Sequence, residues 1–304
     1  MKKFLFVSSA SLFLFACLYL YNNPEELTVL YQLNFKVVTL LLFIKFLTLL
    51  INSSFNKTLL KSFKLDIPNS ESIYLGSLTF LGNLYLPARS GANLRMLYLN
   101  KKYDFKSPAL ASMYLYFFIV TILLNSFVGL LSLITVYKTY DFLFFFSFVS
   151  FLVMLCFSIP LTFRKFNLSG NKNSNKFFYW YNNLKVNWNL ITSNKIVRNR
   201  LIFLTLFNYL LFAIEALILF NVLFDENNIF NIFYYNSLSV LSGLTTFTPA
   251  SIGIKDTIIF LSSQILDLTF ADVISLMIVE RALLILFSII PGIIMLINQK
   301  KIIK

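Results

Sequence analysis

Leu86-Pro87-Ala88-Arg89-Ser90-Gly91 is answered later in the chain by Thr248-Pro249-Ala250-Ser251-Ile252-Gly253. Both copies read Pro-Ala-x-x-Gly. Each follows a run, Ser77–Tyr85 and Ser239–Phe247, that is too short and too rich in Ser, Thr, Gly and Asn for a lipid-facing span. Proline removes a helical donor and glycine permits unusual backbone angles, so helix breaks are expected at Pro87 and Pro249. Within a bilayer, broken backbone survives only where protein or a watered cavity satisfies it. One such break per half of a membrane protein points to a transport pathway. A pair of interfacial turns is the plainer alternative.

Composition sets the class. The 304 residues are 58% hydrophobic and 18% aromatic, with only 13% charged side chains. Apolar runs of membrane-spanning length recur along the chain, so a polytopic, all-α integral membrane protein without a sizeable soluble domain is expected. The formal charge of +13 does not suggest nucleic acid, because the cations sit between apolar runs, where topology signals belong. There is no histidine, which excludes an imidazole relay or a His-ligated metal. No cofactor, metal site or catalytic constellation is expected. Cys17 and Cys156 fall in apolar runs near opposite leaflets, too far apart for a disulfide.

Lys2-Lys3 and Phe4–Tyr21 read as an uncleaved first span. Leu14-Phe15-Ala16-Cys17 resembles a bacterial lipobox, which would lipidate Cys17, but Phe15 is bulky and the apolar run continues beyond it. About six full spans follow from the pattern, at 4–21, 33–51, 107–137, 142–163, 201–224 and 273–298, with broken hairpins at 73–98 and 229–268. The segment 164–200 carries eight Lys/Arg and no acid. Within it Phe177, Tyr181, Leu184, Trp188 and Ile191 make one apolar helical stripe, which fits an interfacial helix on an anionic leaflet; an ordinary basic loop fits equally. The positive-inside rule puts both termini and the basic loops in the cytoplasm, in the inner (cytoplasmic) membrane. The whole is one membrane domain, 1–304, with a first half over about 1–163, the basic segment 164–200 and a second half over 201–304. Pro87 and Pro249 are 162 residues apart. That offset carries the second span onto 195–213, overlapping Leu201–Phe224, and Ser107–Tyr137 onto the last span, the two sets running in opposite directions: an inverted repeat.

The first motif, with Ala92-Asn93-Leu94-Arg95 after Gly91, resembles the Pro-Gly-Arg-x-Gly-Glu-x-x-Arg pattern of the flippase-like membrane domain of lysylphosphatidylglycerol synthetases, the multiple peptide resistance factor family. The second resembles that family's Pro-x-Gly-x-Gly-x-x-Glu, standing here as Pro249 to Asp256. Arg281 and Pro291-Gly292 also sit where that domain has an Arg and a Gly. Ala92 replaces the first motif's glutamate, Asp256 stands for the second's, and a Glu-Arg-x-x-Asp pattern is absent from Ser112–Leu124. With the chain ending at Lys304, the aminoacyl-transferase domain is not expected, nor is lysyl transfer. The resemblance implies the translocating half: movement of an anionic phospholipid or polyprenyl-phosphate-linked lipid between leaflets.

The candidate substrate-binding residues are Arg89, Gly91 and Arg95 in the first hairpin and Gly253 and Lys255 in the second. Guanidinium groups beside a helix start suit a phosphate, although the same arginines could simply reach the interface. Asp256 suits the helix dipole at its position, and Lys45 is close enough to its span's end to snorkel. Glu215 and Arg281 lie at matching depths, about 14 Å and 12 Å from the outer ends of their spans, and are expected to pair. Glu280 is the competing acid. Membrane lipids with anionic head groups are the expected partners, with a second membrane protein or a second copy of the chain left open. Two alternatives belong to other classes: a membrane glycosyltransferase using a lipid-linked donor, suggested by Glu25-Glu26, and a non-catalytic accessory subunit.

Overall fold

The computed structural model describes residues 33–86, 90–136, 142–166, 176–225, 227–245 and 254–302, and every regular element among them is helical. The expected first span, Cys17, Glu25-Glu26, Pro87, Arg89, Pro249 and Gly253 lie outside the described residues.

Helix α1 runs Phe35–Ser62, α2 Asn69–Tyr85, α3 Gly91–Tyr103, α4 Ser107–Val136 and α5 Phe142–Phe163. Helix α6 is Lys176–Ser193, α7 Lys195–Phe224, α8 Ile229–Thr245, α9 Ile254–Leu261 and α10 Phe270–Ile302. Among the described residues, α1, α4, α5, α7 and α10 are long and apolar enough to cross a membrane, which accounts for five of the expected spans. The Pro-Ala-x-x-Gly copies lie between the end of α2 and the start of α3 and between the end of α8 and the start of α9.

Local chemistry sets the helix starts. Asn34 accepts the Val37 N–H at the head of α1, and Asn194 accepts the Val197 N–H at the head of α7. At α10, Thr269 and Asp272 cap each other reciprocally through backbone N–H groups. Asp104 and Asp225 end α3 and α7 in the left-handed region, a conformation that aspartate tolerates better than most residues.

The repeat is visible in the packing. Shifting α1 to α4 by 162 residues lands them on α7 to α10. Neighbours then correspond: α1 packs on α2 and α7 on α8; α2 on α10 and α8 on α4; α1 on α10 and α7 on α4. The related helices α1 and α7 also touch each other, and they run antiparallel. Lys45 meets Glu215, and about two turns further on Asn52 meets Asn208, so one number rises as the other falls. Antiparallel contact between repeat-related helices is what inversion requires. The first hairpin therefore opens from the end of the bundle bearing Lys57 and Lys61, and the second from the opposite end.

Helices α5 and α6 join the halves. One face of α5 leaves Phe142, Phe146, Val153 and Phe157 exposed, a contiguous apolar surface that only lipid or another membrane protein would cover. In α6, Trp188 and Ile191 are buried, Trp188 stacking edge-on against Tyr116 of α4 and donating to the Arg164 carbonyl. Tyr181 stays exposed, so the expected stripe divides: its C-terminal part packs on the bundle and its middle faces outward. The Phe177 side chain lies outside the described residues.

Candidate functional site

The first hairpin is held at both ends. Near its tip the limbs cross at Gly82 and Gly91; a Cβ on Gly91 would fall 2.0 Å from the Thr79 carbonyl oxygen. Here glycine is required by close approach rather than by backbone angle. The Gly91 N–H donates to Asn83 Oδ1 at 3.1 Å, so the donor expected to face phosphate at the start of α3 is already engaged. At the hairpin's open end the buried Glu71 carboxylate accepts from Tyr98, Tyr103 and Lys102. Burial first, then the Glu71 hydrogen bond and charge, push the Tyr103 phenol from 10.0 up to about 12, so it remains a donor at physiological pH. The sequence reading passed over Glu71. Its signal was the pair Tyr98 and Lys102, four residues apart on one face of α3, with Tyr103 about 100° round the helix from Lys102.

Between the hairpins lies a cavity of about 450 Å³, reached by residues of α1, α2, α3, α4, α7, α8, α9 and α10. Its charges come largely in pairs. Lys45 donates to Glu215 at 2.5 Å, both side chains being less than a tenth exposed. Lys255 meets Glu280, whose other oxygen accepts from Tyr235. Arg281 donates to Asp256 at 2.7 Å.

These contacts correct the expected Glu215–Arg281 pair. Matching depth fixes one coordinate of three; the lateral neighbour of α7 at Glu215 is α1, which presents Lys45. Lys45 does not snorkel to an interface, because a buried carboxylate holds it. On α10, the consecutive Glu280 and Arg281 point about 100° apart, so they meet consecutive residues of α9, Lys255 and Asp256. Lys255, expected to offer phosphate a second stop, is paired with Glu280 of α10. Asp256 does open α9, as the dipole argument asks, and adds a guanidinium partner.

Arg95 differs. It lies one turn inside α3, lines the cavity and is 4% exposed. Its guanidinium sits 4.6 Å from the centre of the Tyr114 ring, and its Nε has no hydrogen-bond partner. No carboxylate pairs with it among the described residues. A cation–π contact compensates a desolvated charge only in part. The second oxygen of Glu215, Oε2, is likewise buried without a partner.

Fold and site together define a multi-pass helical membrane protein built as an inverted repeat around a charged central cavity. The chain belongs to the family described as the lysylphosphatidylglycerol synthase TM region, whose model matches residues 3–292. No curated protein and no solved structure matches it.

Proposed function

We propose that this protein moves a lipid with an anionic phosphate head group between leaflets, through the cavity between the hairpins and without covalent chemistry. The observation that carries this reading is Arg95: a buried guanidinium, lining the cavity, with a free Nε and no carboxylate partner among the described residues. Burying an uncompensated charge costs several kcal/mol, roughly, so such a residue is kept where an anion visits. Charge balance agrees. Lys45, Lys255 and Arg281 are each matched by a carboxylate, leaving Arg95 as the excess cation among the described residues of the site, and one phosphodiester would neutralise it. The phosphate travels in polar surroundings supplied by the cavity while the acyl chains stay in lipid. Membership of the lysylphosphatidylglycerol synthase TM region family supports the same reading.

The test is purified protein in liposomes carrying a leaflet-reporting phosphatidylglycerol, phosphatidylcholine or polyprenyl-phosphate. Faster exchange of the anionic lipids than in empty liposomes is expected. No acceleration with either anionic lipid would overturn the reading in favour of a subunit that only packs against a partner. We further infer that the end bearing Lys57 and Lys61 faces the cytoplasm of the inner membrane, with both termini on that side. Cysteine labelling at Asn227 should then succeed from outside; labelling only from inside would reverse the orientation.

A further inference from the structure

A second pocket, separate from the cavity, opens at the basic end of the bundle, where α1 ends, α2 begins and α7 starts. Its volume is about 260 Å³ and its lining is Ser54, Lys57, Thr58, Lys61, Asn69 and Arg200. Every one of these side chains carries an N–H or O–H donor, and none is a carboxylate or apolar. In a chain that is 58% hydrophobic, an all-donor recess needs a reason. Lys57 is drawn inward, its side chain only 22% exposed, and its ammonium donates to Asn69 Oδ1 at 2.7 Å. That bond aims the Asn69 carbonyl at Lys57 and leaves the amide's N–H groups to other partners. The nearest acid is Asp66. It stands outside the lining, is 66% exposed on its side chain, and approaches Lys57 and Lys61 at 3.8 and 3.4 Å. Such a loose, solvated pair offsets one charge weakly and leaves the pocket net positive with Arg200 across it.

We propose that this pocket is a binding site for a phosphate oxyanion, distinct from the passage through the cavity. Two lysines, one arginine, the Ser54 hydroxyl and an amide form a donor set for tetrahedral oxygens, the Thr58 hydroxyl being given to the Ser54 carbonyl: the arginine offers a fork, the lysines point charges. The group comes either from an anionic lipid head group or from a soluble phosphate. Basic pockets between helices at the membrane surface hold head groups in this manner. Occupancy would tie the ends of α1, α2 and α7 together, and α1 and α7 are also the helices that carry Lys45 and Glu215.

The experiment uses the full chain carrying Arg95→Gln, so that the cavity does not contribute. Retained lipid is read by native mass spectrometry with phosphatidylglycerol, and binding of inorganic phosphate is titrated separately. The triple variant Lys57→Gln, Lys61→Gln, Arg200→Gln should weaken binding roughly a hundredfold, about a factor of five per cation. Lys185→Gln, a basic-segment cation away from the pocket, should change little. The charge-preserving triple Lys57→Arg, Lys61→Arg, Arg200→Lys separates lost charge from misfolding and should keep most of the binding. Phosphatidylglycerol that excess phosphate does not displace assigns the lipid head group. Phosphate binding with the same loss in the triple glutamine variant assigns a soluble oxyanion. Unchanged binding in the triple glutamine variant, or an equal loss with Lys185→Gln or with the charge-preserving triple, overturns the proposal.

Discussion

The two hairpins occupy corresponding places in an inverted repeat, yet they treat charge differently. In the second, Lys255 and Arg281 meet Glu280 and Asp256, so α9 is bound to α10 by two adjacent ion pairs. In the first, α3 presents Arg95 with an aromatic ring beneath it and no carboxylate partner among the described residues. The acid of that hairpin, Glu71, is spent at the opposite end of α3, holding Tyr98, Lys102 and Tyr103. The backbones correspond, and the neutralisation of charge does not. On the proposed function, an anion reaching Arg95 would complete the first hairpin. To engage the second, it would have to displace carboxylates.

The comparison is broken most severely by removing a carboxylate from the buried pairs. Glu215→Gln strands Lys45 where both side chains are less than a tenth exposed. A loss of about 3–5 kcal/mol is expected, visible as a large fall in thermal unfolding temperature in detergent. Adding Lys45→Met should recover most of it, and unchanged stability in the single variant would show that the pair is not desolvated. A smaller loss is expected from Gly91→Ala. The added methyl meets the Thr79 carbonyl and the limbs of the first hairpin must separate, which costs about 1–3 kcal/mol by the same measurement. Smaller again is Tyr103→Phe, about 1 kcal/mol or less, because Glu71 keeps Tyr98 and Lys102. If Tyr103→Phe matched Glu215→Gln, the clamp at the open end of the hairpin, rather than the paired cavity, would be the main source of rigidity.

How much of this was legible follows from what each residue type encodes. Pro-Ala-x-x-Gly carries its meaning locally, through a missing donor and a missing Cβ, so the repeat could be read without coordinates. The depth of a charge in a span can also be read, which is why Glu215, Arg281 and Lys45 drew notice. Which helix lies beside which cannot be read from depth, and so Glu215 was assigned to Arg281 instead of Lys45. Glu71 escaped for a related reason: it precedes the apolar run and looks like a loop acid until α3 folds back and brings Tyr98, Lys102 and Tyr103 over it. Arg95 is legible as a cation near a helix start, but its lack of a carboxylate partner among the described residues is a property of the assembled cavity alone.

The central claim is that the anion engages Arg95 while the charges of the second hairpin are paired with those of α10. The direct measurement is the rate of phosphatidylglycerol exchange between liposome leaflets for Arg95→Gln and for the charge-paired double variant Lys255→Gln, Glu280→Gln. The second removes two charges of opposite sign, so no buried ion is stranded. Arg95→Gln should slow exchange about tenfold or more, the loss expected for a charge-assisted contact, and the double variant should stay within about threefold of the unaltered protein. Equal losses in both, or full exchange with Arg95→Gln, would contradict the account.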